Sequence, residues 1–253
     1  MTARTVLKKA IHSVAQLFAE PAIPARRHVK VAEEVPALAT GLRPLDRALG
    51  LGGLPHSRIV ELMGGGTPMA SGGTTIIAAK IAAKVQRRQG TVSIIDLNRS
   101  FDPWQAERCG LVAPHLLLTR PGTLLEALST LETAARTADL VVVVMGVPAE
   151  LLEHVERPLR KNLLGRLNAI VRAAPGVFLF VTAPKKNDPF SPNNYPAGFP
   201  LAHAAAVRLW LQDDAFTFAN GVTTAYKASL TVIKNDLALA GKGANIRVKL
   251  GSS

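Results

Sequence analysis

From residue 38 to 250, apolar positions recur in two alternating rhythms. Short runs rich in β-branched residues, at 58–63, 91–97, 140–144 and 177–182, read as strands. Between them, 74–89, 124–135 and 151–173 carry apolar residues at helical spacing. Alternation of this kind predicts an α/β domain with a mostly parallel central sheet flanked by helices. The rhythm changes near the C-terminus, where runs at 204–211, 216–219, 223–233 and 246–250 are separated by polar turns rather than helices. These predict an antiparallel strand meander added at the edge of the sheet. No repeat of fixed period interrupts the pattern.

The first 37 residues follow different rules. Leu7, Ile11, Val14, Leu17 and Phe18 fall at helical spacing, which gives the segment one apolar stripe that must pack on something. Arg4, Lys8 and Lys9 without an acid also fit an organelle transit peptide; the stripe favours an amphipathic helix that docks on a partner. Pro21, Pro24 and Pro36, with Arg26, Arg27, His28 and Lys30 among them, then read as an extended basic linker. The expected organisation is an arm at 1–37 and a core domain at 38–253.

Composition narrows the function classes. With 30 Lys and Arg against 18 Asp and Glu, the chain carries +12, yet only 19% of it is charged, below the soluble average of about 25%. The imbalance comes from few acids, and it favours a polyanionic partner, nucleic acid first. The longest unbroken apolar run, 140–147, is far short of the roughly 20 residues that span a membrane. A soluble protein with no membrane partner is expected. The single Cys109 rules out an internal disulfide and a cysteine-based zinc site, and suits a reducing cytoplasm. His12, His28, His56, His115, His154 and His203 show no metal-ligand spacing, so no metal site is expected.

The strand at 58–63 runs into Gly64, Gly65, Gly66, Thr67, Pro68, Met69, Ala70, Ser71, Gly72, Gly73, Thr74 and Thr75, then into an Ala/Ile-rich helix. Strand, glycine loop and helix is the setting of a P-loop, whose backbone N–H groups cradle phosphates. The spacing G-x-x-x-x-G-K-[ST] fails here, because Gly73 stands where the Lys belongs and Thr67 stands five before Gly72. Gly72, Gly73, Thr74 and Thr75 therefore read either as a residual anion site or as a plain turn, with the threonines capping the helix in both cases.

The surroundings carry a resemblance. Thr40-Gly41-Leu42-Arg43-Pro44-Leu45-Asp46-Arg47-Ala48-Leu49-Gly50, followed by Gly52-Gly53-Leu54-Pro55 and Arg58-Ile59-Val60-Glu61, is similar to the entry to the core of RecA-type recombinases. The likeness continues in order through Ser71 to Thr75, Ile95-Asp96 with Asp102-Pro103, 141–144, 178–182 and Val232-Ile233-Lys234-Asn235. It implies a RecA-like core over roughly 38–250, DNA as partner, and an N-terminal helix that docks on a neighbouring RecA-like subunit.

Four departures fall where that family does its ATP chemistry. Gly73 replaces the phosphate-binding Lys, and Asn98 stands where a carboxylate orients the attacking water. Met145 stands where a Mg²⁺-associated Asp is expected, and a thioether cannot serve a hard cation. Ala183 occupies the position of a polar γ-phosphate sensor. Lys80 lies two turns into the helix, on the order of 9 Å from Thr74 along the axis, too far to substitute. These losses predict a RecA-like protein that does not hydrolyse ATP and keeps no cofactor.

Two basic segments remain as nucleic-acid candidates. Lys185 and Lys186 precede Phe190, Tyr195 and Phe199 in a Pro-rich stretch, the mixture of cations and rings that single strands use. Arg157, Arg160 and Lys161, with Arg166 and Arg172, lie on the helix at 151–173. Each also reads as ordinary surface, the first as a lid over the sheet edge. A third stripe, Lys80, Lys84, Arg87 and Arg88, reads first as a solvated helix face. The overall resemblance is greatest to ImuA-type accessory proteins of translesion mutagenesis. The expected function is therefore a non-hydrolysing DNA-repair accessory that binds single-stranded DNA, a RecA-like protein or a translesion polymerase. The alternatives are a DNA-dependent ATPase with relocated residues and a protein-only adaptor; self-association is left open.

Overall fold

The computed structural model describes residues 35–64, 70–185, 187–219 and 222–251. The stripe Leu7, Ile11, Val14, Leu17 and Phe18 and the side chain of Lys186 lie outside the described residues. A two-stranded antiparallel sheet, β1 (Ala37–Leu38) with β2 (Leu54–Pro55), encloses helix α1 (Arg43–Leu49) in sequence. Pro44 fits the first turn of α1, where no N–H partner is needed, and Gly50 at φ 70° ends it.

The main sheet has eight strands in the order β10-β9-β8-β3-β7-β6-β4-β5. Strands β3 (Ile59–Gly64), β4 (Val92–Asp96), β5 (Leu116–Thr119), β6 (Leu140–Gly146) and β7 (Val177–Thr182) pair in parallel, as does β8 (Val207–Ala219) with β3. Strands β9 (Val222–Asn235) and β10 (Gly243–Lys249) return antiparallel, forming the expected meander. The fold is thus α/β with a mostly parallel sheet and a C-terminal antiparallel group.

Alternating side chains divide the core in two. Val60, Leu62, Val142, Val144, Leu179 and Val181 meet helices α1, α2 (Ala70–Gln86) and α3 (Pro103–Arg108) on one face. Val141, Val143, Met145, Phe178 and Phe180 meet α4 (Leu124–Ala134) and α6 (Arg157–Ala173) on the other. Helix α2 is buried nearly all round, from Ile76 to Ala83 except Lys80, and its alanines allow close approach to the strands. Each buried Ile there contributes about 1.5–3 kcal/mol over its exposed state.

Several expected boundaries move. Helix α2 begins at Ala70, so Thr74 and Thr75 lie within it, buried, and are not its caps. The stretch 151–173 divides into α5 (Pro148–Leu151) and α6, because Pro158 belongs in a first turn and breaks a continuing helix. The runs at 204–211 and 216–219 merge into β8, whose register shifts between Leu211 and Asp213 absorb the polar Gln212-Asp213-Asp214. Residues 201–204 form the short helix α7 instead. Strand β5, four leucine-rich residues between prolines, is an element the pattern does not announce.

Candidate functional site

Strands β3, β4, β6 and β7 end on the same side of the sheet. The chain leaves β3 toward α2 on one face, whereas the segment after β7 packs on the opposite face through Phe199 and Leu201. Connections that part in this way leave a crevice at the strand ends, the usual ligand position in an open α/β sheet.

What lines that edge is the result of local requirements. Asp96, at the end of β4, is fully buried; it accepts from the N–H groups of Ser100 and Phe101, both at 3.1 Å, and pairs with Arg120 at 3.1 Å. Arg120 also donates to the Phe101 carbonyl at 2.8 Å, so the carboxylate braces the turn at 98–101. Ser100 Oγ donates to Asn98 Oδ1 at 2.8 Å. A Cβ on Gly146 would lie 2.6 Å from Asn98 Nδ2, and Gly146 has φ 65°; the amide therefore rests on a glycine that is required for two reasons. Met145 is buried against the α4–α6 face, 4% exposed.

Among the described residues at the strand ends, Asn98 offers an amide, Met145 points a thioether into the core, and the Asp96 carboxylate is committed to its own turn. Lys80 Nζ donates to the Cys109 carbonyl at 3.0 Å, toward α3. Burial, with Arg87 beside it, lowers the Lys80 pKa. Of the rest of the α2 stripe, Lys84 covers Gly41, and Arg87 and Arg88 are exposed.

A buried polar cluster sits on the face of the sheet that carries the 183–203 segment. Glu61 is fully buried in β3, directly beside Arg208 of β8 in register. Arg208 Nε donates to Glu61 Oε2 at 2.7 Å, Thr182 Oγ1 donates to Glu61 Oε1 at 2.8 Å, and the Tyr195 hydroxyl donates to the same Oε1. Arg208 Nη2 donates to the Tyr195 oxygen and to the Pro189 carbonyl, each at 3.0 Å. Burial first, and the Glu61 carboxylate second, hold the Tyr195 phenol well above its usual pKa. Burial opposes the Arg208 charge, but Glu61 and Tyr195 outweigh it and its pKa rises. Sequence pattern gave no role to Glu61 or Arg208 and read Tyr195 only as a ring for bases; the signal was a lone Glu in an apolar strand and a lone Arg in the apolar run at 207–211.

The expected nucleic-acid residues are only partly brought together. Lys161, Phe190 and Tyr195 share a groove of ≈ 950 Å³ between α6, the Pro-rich segment and β8–β9. Phe190 is 69% exposed. Lys185 is exposed outside that groove, its N–H donating to Asn194 Oδ1 at 3.0 Å. Arg157 and Arg160 lie in the first turn of α6; a Cβ on Gly198 would sit 3.0 Å from the Arg157 carbonyl oxygen, so the segment abuts that turn. Phe199 requires a correction: it is 2% exposed, packed in the core, and its ring has no face to offer a base. Lys234 reaches the carbonyls of Ala202 and His203, at 3.3 and 3.1 Å, and that of Ala205, at the C-terminal end of α7. Gly73 is in the helix, and Thr74 and Thr75 are both engaged.

A family model described as the RecA N-terminal domain matches residues 5–165. The chain is 29% identical over 265 residues to the protein RecA of Thermus thermophilus, covering 98% of this chain and 76% of that protein. It is 28% identical over 259 residues to the protein RecA of Helicobacter pylori strain P12, covering 96% and 73%. With the protein RecA of Chlorobium limicola the identity is 27% over 261 residues, covering 97% and 73%.

Proposed function

This chain belongs to the RecA family, and from that premise we propose that it is a non-hydrolysing accessory of DNA repair and recombination, of the ImuA type that serves translesion mutagenesis. It acts by binding single-stranded DNA, a RecA-like protein or a polymerase partner. The observation that carries this reading is the pair of side chains at the strand ends: an amide at Asn98 and a core-packed thioether at Met145 stand where the resemblance expects a carboxylate for the attacking water and a hard oxygen for Mg²⁺. The groove between α6, the Pro-rich segment and β8–β9 supports the DNA role, since Lys161 supplies a cation and Phe190 an exposed ring. Net charge +12 supplies the long-range attraction.

Fluorescence anisotropy of a labelled single-stranded oligonucleotide, titrated at several salt concentrations with and without Mg·ATP, tests the reading. Expected is binding that weakens steeply with salt, is indifferent to ATP, and falls in a Lys161→Glu or Phe190→Ala variant. ATP-enhanced binding, or ATP hydrolysis lost on substitution of Gly72 or Thr74, overturns it in favour of a relocated ATPase. No binding at low salt, with capture of a RecA-like protein, favours the adaptor.

A further inference from the structure

We propose that Glu61, Arg208 and Tyr195 form a latch that holds the 187–200 segment in one shape on the sheet without any nucleotide; its consequence for DNA rests on the function proposed above. A connection of this length whose only regular element is a three-residue 3-10 turn, Pro192–Asn194, is normally a functional loop or a disordered one. Here it is neither loose nor self-supporting. Asn194, fully buried, accepts from the Lys185 N–H and donates Nδ2 to the Asp188 carbonyl at 2.8 Å, which shapes the segment from inside. Two of its residues then engage the latch: Tyr195 through its hydroxyl and Pro189 through its carbonyl. Glu61 and Arg208 belong to paired strands in the middle of the sheet, so the anchor is rigid.

The Tyr195 hydroxyl both donates to Glu61 and accepts from Arg208, so it is bonded to both members of the ion pair. The groups named here belong to β3, β8 and the segment itself. Ala183, the first residue beyond β7, has only a methyl group, and its N–H donates to the Gly146 carbonyl at 2.7 Å. No polar side chain at that position links the strand ends to the segment. A RecA-like core that has lost its phosphate sensor thus fixes the segment by a permanent internal anchor, and its shape does not depend on a bound triphosphate. Because burial keeps the Tyr195 phenol protonated, the anchor persists through neutral and mildly alkaline pH.

Hydrogen–deuterium exchange of the full chain, read by mass spectrometry over 187–201 with and without Mg·ATP and in the absence of DNA, tests the latch. The amides of Ser191, Asn194 and Phe199 are the reporters, each bonded within the segment. Expected are exchange rates unchanged by ATP in the wild type, and at least tenfold faster exchange in Tyr195→Phe with β6 and β7 peptides unaltered. Arg208→Lys, which keeps the charge but loses the fork, gives the same local acceleration. Wild-type rates in both variants, or slowing of the wild-type segment by Mg·ATP, overturns the latch. The readout contains no DNA, so a chain that passes this test yet binds no oligonucleotide refutes the DNA reading and leaves the latch standing.

Discussion

Arg208→Met isolates the energetic role of the buried pair. The Arg208 side chain is 8% exposed and that of Glu61 is fully buried, with 2.7 Å between Nε and Oε2. Charges about 4 Å apart at an effective dielectric of 20 attract by about 4 kcal/mol. Removal of one partner leaves the other buried and uncompensated, which typically costs about 3–5 kcal/mol. In a domain of this size each kcal/mol lowers Tm by about 2–4 °C, so the variant should melt about 6–20 °C lower. Urea unfolding followed by far-ultraviolet circular dichroism supplies the free energy directly. A second variant separates lost attraction from stranded charge. Glu61→Met, Arg208→Met, Tyr195→Phe and Thr182→Val together remove every side-chain group of the cluster and should recover to within about 2 kcal/mol of wild type, because apolar replacement of a whole buried network is often near neutral. If Arg208→Met costs less than about 1 kcal/mol, or if the fourfold variant is no better than the single one, the desolvation argument is wrong for this site.

Gly146→Ala should cost about 1–3 kcal/mol in the same urea assay, since φ is 65° and the new Cβ would lie 2.6 Å from Asn98 Nδ2; adding Asn98→Ala should recover the clash but not the backbone strain. Burial raises the Cys109 thiol to about 11, against the pull of Lys80 and Arg108. Native protein at pH 8 should therefore react with a thiol reagent at least 100-fold more slowly than protein in urea. The same shift has a sign for stability. The folded thiol keeps its proton above its ordinary value of 9.0 while the unfolded thiol loses it, so stability is full below pH 9 and falls as pH rises toward 11. Cys109→Ala should flatten that part of the stability profile, and an unchanged slope would refute the assignment.

The parallel core was legible because its strands are buried on both faces and so read as continuous apolar runs, as at 140–144 and 177–182. The meander was legible from polar turns, but Gln212-Asp213-Asp214 read as a break where the strand instead shifts register and continues. Phe199 illustrates a limit of composition. A ring among prolines and lysines resembles a base-stacking platform whether it faces solvent, as Phe190 does, or the core; periodicity is absent in such a segment, so nothing local decides. The Glu61–Arg208 pair is a different case. Its members are 147 apart in sequence, and only the parallel register of β3 with β8 brings them together.

Polar groups at the strand ends find partners within the chain. A site built to close around a triphosphate needs donors and acceptors whose partners arrive with it, and those groups are costly while buried and unpaired. Among the described residues, two backbone groups here are paired within the chain: the Leu97 N–H donates to the Val144 carbonyl at 2.8 Å, and the Ala183 N–H to that of Gly146. Asp96 is satisfied by its turn and by Arg120, and Glu61 by three side chains. Among the described residues the buried side-chain atoms without a partner are Ser93 Oγ, near the opposite end of β4, and Arg160 Nε on α6. Ser93 lies away from the strand ends. Among the described residues, Asp96 and Glu61 thus serve the fold, and the non-hydrolysing role proposed above asks no more of them.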